Sequence, residues 1–225
     1  MISLLISLFA NLWIYKIFAV NFLLGILILI TTILLFKNNK LFLLLFIPIL
    51  FFQIQTTNIA SLTAISNDDR RVIDMRLRAY PPKFLRFGYW LEERKESIIF
   101  NRVAINFFEN MDPNLYFFAN NPRQRVGIKE FEKFPYVLLP FFLLGVLDCI
   151  QKKNKMFWLI SFLAPLIVLS IIGNRNNFGP FSLFPFFVVS INEGLKKLQN
   201  KHFKIFIVVL VLVLVLVQII SYEIY

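Results

Sequence analysis

Residues 17–36 read IFAVNFLLGILILITTILLF, twenty positions without a charge in which Asn21, Thr31 and Thr32 are the polar side chains. A helix needs about 20 predominantly apolar residues to cross roughly 30 Å of hydrocarbon, and this stretch supplies them. Residues 41–60, 156–173, 176–192 and 205–222 are likewise charge-free apolar runs, and the shorter run 134–150 contains Asp148 near its end. Residues 208–217 alone, rich in Val and Leu, fit a strand as well as a helix. An open strand in a bilayer leaves its backbone groups unpaired, so helix is the expectation there too. The predicted fold class is all-α, a polytopic membrane helical bundle of six spans.

Composition points the same way. Hydrophobic residues make up 58% of the chain and charged ones 16%, against about 45–50% and 25% in a soluble domain. Seven Gly, ten Pro and one Cys exclude a collagen-like repeat and a disulfide scaffold. The net charge of +11 fits either nucleic-acid binding or the flanks of membrane helices. Its distribution decides. Residues 56–133 hold 13 basic and 10 acidic side chains, whereas the remaining residues hold 11 basic and 3 acidic, mostly in short clusters between apolar runs. That is a topology signal, so no nucleic-acid partner is expected.

Lysines in short loops set the orientation. Lys37 and Lys40, then Lys152, Lys153 and Lys155, then Lys196, Lys197, Lys201 and Lys204 fall in alternate connections, which are predicted cytoplasmic. The long connection 61–133 and the turn Asn174–Asn177 then face outward. Three regions follow: N-terminal membrane helices over 1–60, an extracytoplasmic helical loop over 61–133 and C-terminal membrane helices over 134–225. Residues 1–16 are apolar, without a basic leader or a small-residue cleavage site, and extend the first helix, lie in the interface or pair as a hairpin. Pro48, Pro140, Pro165 and Pro185 fall inside four spans, where neighbouring helices make proline tolerable.

The outer loop carries the water-facing chemistry. Asp68 and Asp69 read as caps of a helix beginning near Arg70 and ending at Pro81-Pro82; as a catalytic or metal-binding pair they lack a third ligand. A second helical stretch starts near Tyr89 and places Ile99, Phe100, Val103, Ala104, Phe107 and Phe108 on one stripe. Such a helix lies in the interface or packs on the bundle. Arg123, Arg125 and Lys129 precede the third span, and Arg175 sits in the outward turn. Near the outer bilayer surface these cations suit an anionic headgroup or lipid-linked phosphate, Arg bidentately and Lys as a point charge; pairing with Glu130 and Glu132 is the plainer reading.

Other signatures are missing. His202 is the sole histidine and lies among cytoplasmic lysines, which excludes an outer histidine triad or zinc site. There is no phosphate loop and no dinucleotide fingerprint, so neither metal nor cofactor is expected. Asp148, an acid inside an apolar run, stands about one turn from Lys152 and Lys153, and an interfacial ion pair is expected.

From about residue 98 onward the chain resembles the C-terminal part of GT-C class polytopic glycosyltransferases, which use lipid-phosphate sugars. The resemblance rests on the outer amphipathic helices, on 110–122 with Leu115-Tyr116-Phe117-Phe118 at its centre, on the span after Phe134, and on the turn running from Arg175 through Pro185. Members of that class carry an acidic catalytic motif on their first outer loop, for which only Asp68 and Asp69 stand in here, without the aromatic-Asp-Glu surroundings. The resemblance therefore implies a short non-catalytic relative or a partner of such enzymes, with membrane lipid, polyprenyl-phosphate among it, and a membrane protein as partners. The alternatives are a transferase using a polyprenyl-phosphate sugar, with Asp68 or Asp69 as base, and a small transporter or assembly scaffold. The expected location is a bacterial cytoplasmic membrane.

Overall fold

The computed structural model describes residues 2–56, 67–92, 94–119, 130–152, 155–174, 176 and 178–223. Among these the chain is all-helical, without strands. The N-terminal part comprises α1 (Ile2–Phe9), α2 (Leu12–Val20), α3 (Phe22–Phe36) and α4 (Leu41–Gln55). The middle part holds α5 (Asn67–Arg78), α6 (Leu85–Glu92), α7 (Lys95–Met111) and the single turn α8 (Asn114–Phe117). The C-terminal part holds α9 (Leu139–Gln151), α10 (Met156–Ile172), α11 (Phe184–Lys196) and α12 (Lys201–Glu223). No single helix among the described residues is long and apolar enough to cross a membrane. Two bent pairs pass that test together, Ser3–Phe9 with Leu12–Val20 at 54° and Tyr136–Gln151 with Met156–Ile172 at 120°.

The first expected span, 17–36, is not one helix. Asn21 adopts extended backbone (φ −149°, ψ 104°), ends α2 and caps α3, its side chain accepting from the Leu24 amide at 3.1 Å. Asn11 does the same between α1 and α2: it accepts from the Ile14 amide at 2.9 Å and donates to the Leu8 carbonyl at 2.8 Å. Each asparagine satisfies backbone groups that a helix end leaves open, so apolar length alone overestimates continuity. Ser3–Phe9 thus forms the first limb of a bent pair and Leu12–Val20 the second. The fifth expected span also starts late, since helix begins only at the 3-10 turn Phe181–Leu183. Pro48 and Pro165 lie inside α4 and α10 as expected. Pro140 and Pro185 instead occupy the first turns of α9 and α11, where a missing N–H is harmless and the fixed φ helps start the helix.

Helix α11 is the hub, and every residue from Phe184 to Leu195 is buried. Helices α9, α3, α1 and α10 surround it. The closest approach is between α9 and α11, where Gly145 faces the Ser190 carbonyl and Gly194 faces the Phe141 carbonyl. A small-xxx-small pair, Ser190 and Gly194, thus opens one helix to another's backbone.

Outside, the pattern inverts. On α3, Leu23, Ile26, Ile30 and Ile33 are exposed while Thr31 and Thr32 are buried. On α10, Met156, Leu159, Leu163, Ile167 and Ile171 point outward and Ser161 and Ser170 inward. On α12, Val209, Leu212, Val213, Leu216 and Ile220 are exposed and Gln218 is buried. The buried hydroxyls are satisfied within their own helices, Thr31 donating to Leu27 at 2.6 Å and Thr32 to Ile28 at 2.7 Å.

The three lysine-bearing hairpins meet at one end. Lys152 pairs with Glu193, and its ammonium is 3.1 Å from Asp148. Lys197 reaches Asp148 at 2.8 Å, and Lys196 reaches Glu193 at 2.5 Å while standing 4.3 Å over the Phe36 ring. The expected Asp148–Lys152 pair is present and belongs to a larger network; Lys153 lies outside the described residues. Desolvation alone lowers the Lys152 pKa, but hydrogen bonds to Glu193 and Asp148 and their charges outweigh it and raise the value.

The outer helices differ from the expected pair. The first runs Asn67–Arg78, and the second is split into α6 and α7. On the expected stripe of α7, Phe100 is 72% and Phe108 68% exposed, while Ile99, Val103, Ala104 and Phe107 are half-buried. Helix α7 packs on α10, with the Asn106 side chain donating to the Ser170 carbonyl at 3.1 Å.

Candidate functional site

At the end opposite the lysine network, Asn176, Phe178 and Ser182 tie three parts of the chain together. Gly173, at φ 74°, reverses the backbone after α10 in a conformation that side-chain-bearing residues rarely adopt. Asn176 Nδ2 donates to Thr56 Oγ1 at 3.3 Å. The Ser182 amide donates to Gln53 Oε1 at 3.2 Å. That amide belongs to the first turn leading into α11, one of the donors a helix start leaves unpaired, so Gln53 of α4 caps α11 from across the bundle. On the other side the Phe178 carbonyl accepts from Trp13 Nε1 at 2.5 Å.

Gly179, at φ 77°, lies against the Lys133 stem; a Cβ there would meet Lys133 Cε at 2.5 Å. Lys133 is 0% exposed. Its Nζ donates to the Leu115 carbonyl at 2.8 Å, lies 3.7 Å from Glu130 and stands 5.0 Å from the Phe131 ring centre. Lys16 Nζ approaches the same ring at 3.9 Å. The amides of Lys133 and Phe134 both donate to the Tyr116 carbonyl at 2.9 Å, which pins the entry to α9 against α8. Leu115, Tyr116 and Phe117 are fully buried there. A buried ammonium persists only when paired and hydrogen-bonded, and each of these contacts contributes to that.

Two buried oxygens in this layer, Asn176 Oδ1 and Ser182 Oγ, have no hydrogen-bond partner among the described residues. An unsatisfied buried acceptor or hydroxyl costs about 1–3 kcal/mol, and a polar ligand group seated there would recover it. Replacing Gln53 with leucine removes the acceptor of the Ser182 amide. The expected loss is about 1–3 kcal/mol, a melting temperature lower by about 2–4 °C per kcal/mol for a chain of this size. Differential scanning fluorimetry in detergent checks it; an unshifted transition would mean that Gln53 caps nothing.

Arg123, Arg125, Lys129 and Arg175 lie outside the described residues. Asp68 and Asp69 fall in the first turn of α5 rather than before it, since the helix already begins at Asn67. Among the described residues no three His, Cys, Asp or Glu side chains converge as a metal site would need. Cys149 is buried and free. On the α5–α6 side, Tyr80 donates to Glu92 at 3.2 Å, and its pKa is raised by desolvation, by that hydrogen bond and by the carboxylate charge, against Arg76.

Reasoning from sequence missed Gln53, Ser182, Trp13 and Lys133. Each is an ordinary member of its local stretch, and only the fold brings it to the 174–183 hub. No family model, curated protein or solved structure matches the chain. Function therefore rests on its own residues.

Proposed function

We propose that this chain is an integral membrane protein whose outer pole holds the polar head of a lipid, as a short non-catalytic relative or partner of the GT-C transferases it resembles. The observation that carries the reading is the inverted helix pattern. Thr31, Thr32, Gln53, Ser161, Ser170 and Gln218 are buried beside apolar core residues, while a second set of leucine, isoleucine, valine and phenylalanine side chains faces outward along α3, α4, α10 and α12. Contiguous exposed apolar surface beyond a few hundred Å² is rare on soluble monomers, whereas buried polar side chains and an apolar exterior suit lipid as the solvent.

In this reading the crossing segments are the bent pair α1–α2 together with α3, α4, α9, α10, α11 and α12. That adds one segment to the six expected from apolar length. Helices shorter than the hydrocarbon core are accommodated by local thinning and by snorkelling flanks, and Lys37, Lys40, Lys155 and Lys196 stand at the helix ends for that purpose. The clustering of three lysine-bearing hairpins at one pole supports a cytoplasmic side there. The hub of Asn174, Asn176, Gln53 and Ser182 then lies at the extracytoplasmic pole. Arg175, beside the hub in sequence, and Arg123, Arg125 and Lys129, ahead of the entry to α9, are proposed to meet a lipid-linked phosphate.

The test is purification in mild detergent followed by mass spectrometry of co-purifying lipid, on wild type and on Arg123→Ala/Arg125→Ala. A polyprenyl-phosphate species retained by wild type and lost from the variant is the expected outcome. The same bulk phospholipid in both samples would refute the headgroup site, and quantitative release of the chain from membranes by alkaline carbonate would refute the membrane reading itself.

A further inference from the structure

Helix α6 and the 3-10 turn Pro82–Phe84 before it present an apolar face that nothing among the described residues covers. Phe84, Phe87 and Leu91 recur at i, i+3 and i+7, and Trp90 stacks on Phe87 with ring centres 6.0 Å apart. Phe84 is 59%, Phe87 55% and Trp90 54% exposed. The adjoining side, at Gly88 and Glu92, packs on Tyr80. A Cβ on Gly88 would meet the Tyr80 ring at 3.0 Å, and Glu92 binds both Arg76, at 3.3 Å, and Tyr80. Tyr80, Gly88 and Glu92 thus hold α6 against α5, and Phe87 and Trp90 stay exposed beside that contact.

Cations border that side. Lys83 and Arg86 flank it, and the Arg94 guanidinium stands 4.4 Å over the Trp90 ring. Trp and Phe beside Lys and Arg on one short amphipathic helix is the composition of the lipid–water interface, where rings lie at headgroup depth and long basic side chains reach phosphates. The face is also tethered to the bundle: α6 ends at Glu92, and α7, which packs on α10, begins at Lys95.

We propose that the face formed by Phe84 of the preceding turn and Phe87, Trp90 and Leu91 of α6 seats in the outer lipid interface of the same membrane, with Lys83, Arg86 and Arg94 among the headgroup phosphates. The proposal rests on the membrane reading above and deepens it, because it assigns the lipid contact to a surface distinct from the 174–183 hub.

The experiment uses the full chain in phospholipid nanodiscs, in a Cys149→Ala background, with an environment-sensitive label at Phe87→Cys, Trp90→Cys, Arg78→Cys or Ile30→Cys. Nitroxide-bearing phospholipid is expected to quench the labels at 87, 90 and 30 several-fold more than the label at 78, and aqueous iodide is expected to do the reverse. Lipid quenching at Ile30→Cys with iodide quenching at Phe87→Cys and Trp90→Cys would overturn the α6 proposal while leaving the membrane reading standing. Iodide quenching at all four positions would overturn both.

Discussion

Replacing Gly145 with leucine is expected to break the α9–α11 pair and to lower the melting temperature more than any other single change on α9. An ideal Cβ at this position stands 1.7 Å from the Ser190 carbonyl oxygen, and one on Gly194 stands 1.8 Å from the Phe141 carbonyl oxygen. The obstacles are backbone atoms of helices, which cannot rotate away as a side chain does. The helices must separate, and α11 is the element against which α1, α3, α9 and α10 all pack. Overpacking a core costs about 1–3 kcal/mol, and more where the backbone must shift. At about 2–4 °C per kcal/mol, a fall of roughly 10 °C is the expected scale. Gly25→Ala serves as the comparison. Its Cβ would meet Phe18 ring atoms at 2.6 Å, but that ring belongs to a half-buried side chain that can turn, so the loss should be much smaller. Equal losses in the two variants would remove the argument that α9 and α11 touch backbone to backbone.

This contact marks where sequence reasoning runs out. Long apolar runs announce helices because few other structures suit them, and the principal apolar helices α3, α4, α9, α10, α11 and α12 fall where those runs predict. Their interruptions are less visible. Asn11 and Asn21 are single polar residues in apolar surroundings, and nothing local distinguishes a cap from a tolerated polar side chain. Nor does α3 carry a readable face. With thirteen of its fifteen residues apolar or glycine, the inward side is chosen by Thr31, Thr32 and Gly25 rather than by apolar periodicity.

The candidate site was half visible. A polar turn around Arg175 between two apolar segments drew attention to the 174–183 hub. Its partners did not, because Gln53 and Ser182 are 129 positions apart and Trp13 and Phe178 are 165 apart. Lys133 was hidden for a different reason. A lysine just before an apolar span reads as a headgroup contact, whereas here the Leu115 carbonyl, Glu130 and two aromatic rings make full burial affordable in energy terms.

Trp13 shows how the N-terminal segment supports that site, and its removal is the second large effect expected. The side chain is 0% exposed. Its ring lies 5.5 Å from Phe184, 5.7 Å from Phe134, 5.8 Å from Tyr116 and 6.4 Å from Phe187, so it touches α8, the entry to α9 and α11 at once. Its indole N–H reaches the Phe178 carbonyl within the hub. A vacated indole volume forfeits these packing contacts, and in the lipid setting proposed above such contacts carry most of the stabilisation. Trp13→Ala is expected to cost about 3–5 kcal/mol, whereas Trp13→Phe keeps most ring contacts and loses chiefly the hydrogen bond, about 0.5–1.5 kcal/mol. Thermal unfolding in detergent separates these losses. Lipid retention separates the two roles: if the indole N–H positions the hub, Trp13→Phe should shed co-purifying polyprenyl-phosphate while remaining folded. Retention equal to wild type in Trp13→Phe would make Trp13 a packing residue alone and leave Gln53 to position the turn.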